Sequence, residues 1–125
     1  MNVVDSSAWL EYFANGPNAG FFAGPIEQND ELIVPSLTLY EVFKRVLQQR
    51  DEGNALRAVS VMHQGTVIDL DARLAVAAAR LSLDTRLPMA DSVVLATARL
   101  HNATLWTQDA DFKGHLGVRY RPRKS

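Results

Sequence analysis

The chain has 125 residues, 47% of them apolar, and a formal net charge of −1. That length suits one ordinary domain, which buries a core without covalent staples. The absence of cysteine excludes disulfides, thiolate metal sites and cysteine nucleophiles, and the near-neutral charge gives no global field toward nucleic acid.

The opening MNVVDSS has neither the basic nor the long apolar region of a signal peptide, and no apolar run approaches the ~20 residues of a membrane span. A cytoplasmic protein with no membrane partner is expected. NVV reads as a short buried strand closed by Asp5, and SSAWLEYFAN as a helix ended by Gly16 and Pro17. NAGFFAGPIEQND, interrupted by Gly24 and Pro25, reads as one or two short helical pieces, and ELIVP as a second strand. From Ser36 to Arg50 the period is helical: Leu39, Val42, Phe43, Val46 and Leu47 form one stripe, while Glu41, Lys44, Arg45 and Gln48 share another face.

A further helix is expected from Asn54 to His63, then a third strand in TVIDL. Asp71 can cap an alanine-rich helix over 72–85, and Pro88 fits the first turn of a helix reaching about His101. ATLWT is a fourth strand and VRY a weak fifth. The basic tail, with Arg119, Arg121, Arg123 and Lys124, reads either as a solvated end or as a contact for RNA or a partner. Short, continuously apolar strands alternating with helices predict a parallel sheet covered on both faces, in one domain over residues 1–125.

The informative feature is where the acids fall. Asp5 ends the first strand, Glu41 lies on the helix after the second, Asp91 in the first turns of the helix at Pro88, and Asp109 directly after the fourth strand. The C-terminal ends of parallel strands share one edge, where α/β proteins bind ligands. Each acid has an ordinary structural use as well. Asp5 and Asp109 could cap helices, Thr38 to Glu41 matches a capping box, and Asp91 complements a helix dipole. Jointly, capping explains them poorly, because clustered carboxylates repel and raise one another's pKa unless a cation lies among them. Oxygen-rich sets suit Mg²⁺ or Mn²⁺, which polarise phosphoryl oxygens and generate hydroxide from water, the chemistry of phosphodiester hydrolysis. His63, His101 and His115 show no ligand spacing.

VVDSSAWLEYF, VPSLTLYEVFKRV, LPMADSVVLATA and LWTQDADF follow one another in this order along nearly the whole chain. The sequence resembles PIN-domain ribonucleases, and specifically the VapC toxins of toxin–antitoxin operons. The resemblance implies a PIN-like (Rossmannoid) three-layer α/β/α fold with a parallel sheet of four to five short strands. It implies an endoribonuclease using Mg²⁺, with Mn²⁺ able to substitute, through metal-activated water. Asp5, Glu41, Asp91 and Asp109 are its catalytic acids; Asp5, Asp91 and Asp109 are metal ligands, with Glu41 binding directly or through water. Ser6 and Thr107 support them through hydroxyl hydrogen bonds. For Asp111 three uses stay open: binding a second metal, holding a water, or capping the turn.

The resemblance also implies a VapB-like antitoxin as partner and RNA as substrate. Trp9, Tyr12, Phe13, Phe21 and Phe22 crowd the first helices, which fits antitoxin binding or a homodimer, within a toxin–antitoxin hetero-oligomer. Lys44 and Arg45 are candidate RNA contacts, with ion pairing to Glu41 as the competing role. In relatives a glycine often precedes the Leu-Pro of the third motif, where this chain has Asp84-Thr85-Arg86. Trp106 is expected to pack in the core rather than stack on a base. The competing classes are an inactive PIN-like module that binds RNA or protein, a receiver-like Mg²⁺-binding signalling domain, and a DxD phosphatase built on Asp109 and Asp111. The receiver reading lacks the paired acids after the first strand, and the phosphatase motif belongs after a first strand rather than a fourth.

Overall fold

The three inner strands are short and bury residues on both faces, so they need a helical layer on both sides. The computed structural model describes residues 1–124. Strand β1 (Asn2–Val4) is central, flanked by β2 (Leu32–Pro35) and β4 (Thr104–Thr107), with β3 (Thr66–Ile68) and β5 (Val118–Tyr120) outermost. All pairings are parallel, in the order β3-β2-β1-β4-β5, and Asn2 stands in register with both Leu32 and Thr104.

One face carries α1 (Ser6–Phe13), α2 (Ala19–Glu27), α3 (Ser36–Gln49) and α4 (Glu52–Met62), and Val4, Leu32 and Val34 meet Trp9, Phe22, Val42 and Met62 there. The other carries α6 (Met89–Leu100), whose Val94, Leu95 and Ala98 pack on Val3, Ile33 and Leu105. Helix α5 (Ala72–Thr85) lies against α6 through Leu74 and Ala78. This is the three-layer α/β/α arrangement of the PIN-like fold class expected above.

The stretch after Asn18 forms one helix, α2, with buried Pro25 inside it, followed by a 3₁₀ turn at Asn29–Glu31, within the one or two helical pieces expected. Two local expectations change. Pro88 precedes α6 as its cap rather than opening its first turn. The capping box at Thr38 does not form: that residue lies inside α3, and its hydroxyl donates to the Pro35 carbonyl at 2.7 Å.

The corner between α5 and α6 positions the N-terminus of α6, and hydroxyls hold it. The Leu87 carbonyl accepts from Ser82 Oγ at 2.9 Å and from buried Ser92 Oγ at 3.1 Å. Arg86 ends α5 in the left-handed region, at φ 63° and ψ 19°, with its N–H donating to the Ser82 carbonyl. The chain thus keeps at an arginine the backbone shape that glycine adopts without a Cβ clash. Arg86→Gly is expected to stabilise the protein by about 0.5–1 kcal/mol, the relief of left-handed strain exceeding glycine's extra unfolded-state entropy. Urea denaturation checks this through a raised midpoint at unchanged slope; an unchanged or lower midpoint contradicts it.

Candidate metal centre

Asp5 leaves β1 at the central strand end and is almost fully buried. Its carboxylate is densely bonded. Oδ1 accepts the Ser7 N–H at 2.5 Å and the Ser7 hydroxyl at 2.7 Å, with the Ala8 N–H at 3.4 Å, so the residue does cap α1. Oδ2 accepts the Thr107 hydroxyl. Burial pushes the Asp5 carboxyl above the ordinary carboxylate range, and the hydroxyls of Thr107 and Ser7 with the backbone donors pull it part of the way back.

Thr107, fully buried at the end of β4, uses its one hydroxyl twice: it donates to Asp5 and accepts the Asp109 N–H at 2.9 Å. The side chain therefore fixes both the acid after β1 and the chain direction after β4. Asp109 Oδ1 then accepts the Asp111 N–H at 2.9 Å and caps a 3₁₀ turn, Ala110–Phe112, seated by buried Phe112. The cap of this turn is thus Asp109, and Asp111 leaves its own carboxylate exposed.

Asp91, half-buried in the first turn of α6, is where the acids meet. Its carboxyl is pushed up to about 7 by burial and then by the charges of Asp109, Asp5, Asp111 and Glu41. Oxygens of Asp91, Asp109 and Asp111 all lie within 4.8 Å of one another. Asp91 reaches this edge although α6 follows a helix rather than a strand. Glu41 is held differently, its Oε1 accepting the Ser6 hydroxyl at 2.7 Å across the gap between α1 and α3. Lys44 lies with its ammonium over the Tyr40 ring, 5.7 Å from the centroid. It lines a groove with Arg45, Glu41, Ser6, Ser7 and Arg123.

Of the four acids the sequence indicates, the fold brings the oxygens of Asp91 and Asp109 together, with Asp111 as the third, while Asp5 and Glu41 lie outside that group and accept the hydroxyls of Thr107 and Ser6. What the sequence does not single out is Ser7, which gives Asp5 both a hydroxyl and an N–H; the signal is its place two residues after a capping aspartate. Asn18 is also missed. It is 1% exposed, and its amide donates to Gln108 Oε1 at 3.1 Å and to the Pro122 carbonyl at 3.0 Å. Trp106 packs as expected, with its ring against Phe21 and its indole N–H donating to Asn2 Oδ1 at 2.8 Å.

A family model described as the PIN domain matches residues 3–115. The chain belongs to the PIN domain family. Solved structures agree in fold. A toxin–antitoxin complex from Klebsiella pneumoniae is 22% identical with a TM-score of 0.81, over 95% of this chain and 96% of that one. VapC20 of Mycobacterium tuberculosis, described as a sarcin–ricin loop cleaving toxin, is 17% identical with a TM-score of 0.76, over 95% and 99%. VapBC2 from Rickettsia felis, bound to a DNA fragment from its promoter, is 15% identical with a TM-score of 0.73, over 97% of each chain. Among curated proteins none matches this PIN domain chain.

Two consequences of the site's electrostatics can be measured. Thr107→Val removes the donor to Asp5 and the acceptor for the Asp109 N–H at constant shape, and should cost about 1–3 kcal/mol; Thr107→Ser should recover most of it. Chemical denaturation of the three proteins decides. The second consequence concerns pH. A carboxyl that holds its proton more tightly when folded stabilises the fold below its unfolded pKa and loses that contribution as pH rises through its folded pKa. For Asp91 the window runs from its ordinary 3.8 to about 7, and raised Asp5 acts in the same sense. In EDTA the Tm should therefore fall between pH 5 and pH 8, and Asp91→Asn should flatten that fall.

Proposed function

We propose that the chain is a divalent-metal-dependent endoribonuclease, the toxin of a toxin–antitoxin pair, acting in the cytoplasm as one PIN unit over residues 1–125. The observation that carries this reading is the convergence of Asp91, Asp109 and Asp111, whose oxygens lie within 4.8 Å of one another, with burial and the charges of Asp109, Asp5, Asp111 and Glu41 raising the Asp91 carboxyl. An all-oxygen, mutually repelling set is a poor environment for side chains alone and a good one for a hard cation.

The donor set fits Mg²⁺, with Mn²⁺ able to substitute. Asp5, Asp91 and Asp109 would hold the ion, with Glu41 direct or through water, and Asp111 is added because its oxygen lies with those of Asp91 and Asp109. When bound, such an ion polarises a phosphoryl oxygen and lowers the pKa of water. The protein's own part is to hold the carboxylates in place. Thr107 and Ser7 donate to Asp5 and fix its carboxylate at the end of β1. Ser6 donates to Glu41. Lys44 and Arg45, on the groove beside Glu41, would meet the phosphates of the RNA.

The relatives named above include toxin–antitoxin complexes, which supports a VapB-like antitoxin as partner, in a hetero-oligomer whose toxin is a homodimer. The structure of the site favours the nuclease over an inactive binding module, because a binding surface for phosphate gains nothing from acids that repel it.

Purified protein should cut total RNA in Mg²⁺ or Mn²⁺ and not in EDTA, and Asp91→Asn should lower the rate by at least a hundredfold. The same variant should melt higher than wild type in EDTA at pH 8, since it removes the charge the other acids oppose. Cleavage that survives EDTA or Asp91→Asn contradicts the mechanism. Induced expression should arrest bacterial growth in a way Asp91→Asn relieves; arrest that persists contradicts the toxin role.

A further inference from the structure

The C-terminal residues do not leave the molecule after β5. Arg121 N–H donates to the Thr107 carbonyl at 3.0 Å, and the Pro122 carbonyl accepts from buried Asn18 at 3.0 Å. The side chains before this point interleave with aromatic rings. The Arg119 guanidinium lies 4.6 Å from the Trp106 centroid, Trp106 lies 5.0 Å from Phe21, and Arg121 caps Phe21 at 4.0 Å. Such stacked cations hold a chain direction without needing carboxylate partners. The result is a strap across the C-terminal edge of the sheet, and it carries Arg123 into the groove lined by Ser6, Glu41, Lys44 and Arg45.

We infer that Arg123 is a substrate-binding residue, which the strap delivers to the groove beside Glu41 so that it grips a backbone phosphate of single-stranded RNA with Lys44 and Arg45. The inference rests on the nuclease reading and names residues that the acidic cluster does not include. Two features of the fold make a bare solvated end a poor account of the strap. Asn18 is buried and spends its amide on Gln108 and Pro122, and buried amides are placed where their bonds hold something. Three cations also border a groove whose one acid, Glu41, already accepts from Ser6. A nucleic acid approaching the acids is repelled by them, so cations at the flank must supply its affinity while the cluster supplies chemistry.

The test uses full-length protein and a fluorescein-labelled single-stranded RNA pool. Cleavage is measured in Mg²⁺ and binding by anisotropy in EDTA across a salt series. Arg123 is exposed, so Arg123→Ala should keep the wild-type Tm. It should raise KM by roughly threefold to tenfold with kcat nearly unchanged, as loss of one charge-assisted contact predicts. The slope of log affinity against log salt should fall by about 0.7, one phosphate's worth on a single strand. Arg123→Lys should restore the slope. Wild-type cleavage with an unchanged KM and salt slope in Arg123→Ala overturns the inference and leaves the nuclease reading intact. Wild type that neither binds nor cuts RNA overturns both.

Discussion

Carboxylates brought to one edge of a parallel sheet repel one another, and the rest of this structure is arranged around keeping them there. Asp5 is seated at the end of the central strand, where burial alone would favour its neutral form. Ser7 and Thr107 oppose that by donating to it, and Thr107 passes the constraint on by accepting the N–H of Asp109. One hydroxyl therefore joins two acids more than a hundred positions apart, and Asp5 could not rotate away without leaving the buried Thr107 hydroxyl unpaired. The helix carrying Asp91 is fixed with comparable care, by the Ser82 and Ser92 hydroxyls on the Leu87 carbonyl.

The acids divide into two groups by accessibility. Asp5 is buried and densely bonded, and its charge acts on Asp91 from behind. Asp109 is partly buried and Asp111 exposed, and both offer oxygens to the same point as Asp91. The set thus grades from an immobilised interior carboxylate to a solvent-facing one.

Much of the architecture was legible because its signals are periodic. The continuously apolar NVV, ELIVP and ATLWT could only be inner parallel strands, and the acids that follow them were bound to share an edge. Sequence left open whether the stretch around Gly24 and Pro25 makes one helix or two, since proline usually stops a helix; here the helix runs through a buried Pro25. The partner of Glu41 was not legible. A capping box is a local pattern, and Thr38 had a better acceptor in the Pro35 carbonyl, so Glu41 was left to pair with Ser6 from a different helix. Asp111 was ambiguous in sequence because a cap, a metal ligand and a water holder use the same residue type at the same spacing; its N–H donating to Asp109 shows that the cap of the turn is Asp109. The course of residues after Tyr120 was also beyond pattern reading, because it depends on Asn18, a residue far away in sequence with no periodic role.

A parallel sheet gives the molecule two unlike ends. Met1 enters at the edge where strands begin, its carbonyl accepting the Thr104 N–H, while the strap brings Arg123 at the opposite edge beside Glu41 and the groove cations. Anything joined ahead of Met1 therefore projects from the far side of the domain. A fusion or affinity handle placed after Lys124 would instead crowd the mouth of the groove, and a charged one would add its own field to that of Glu41. The placement of a tag on this protein is thus a chemical choice about the site rather than a matter of convenience.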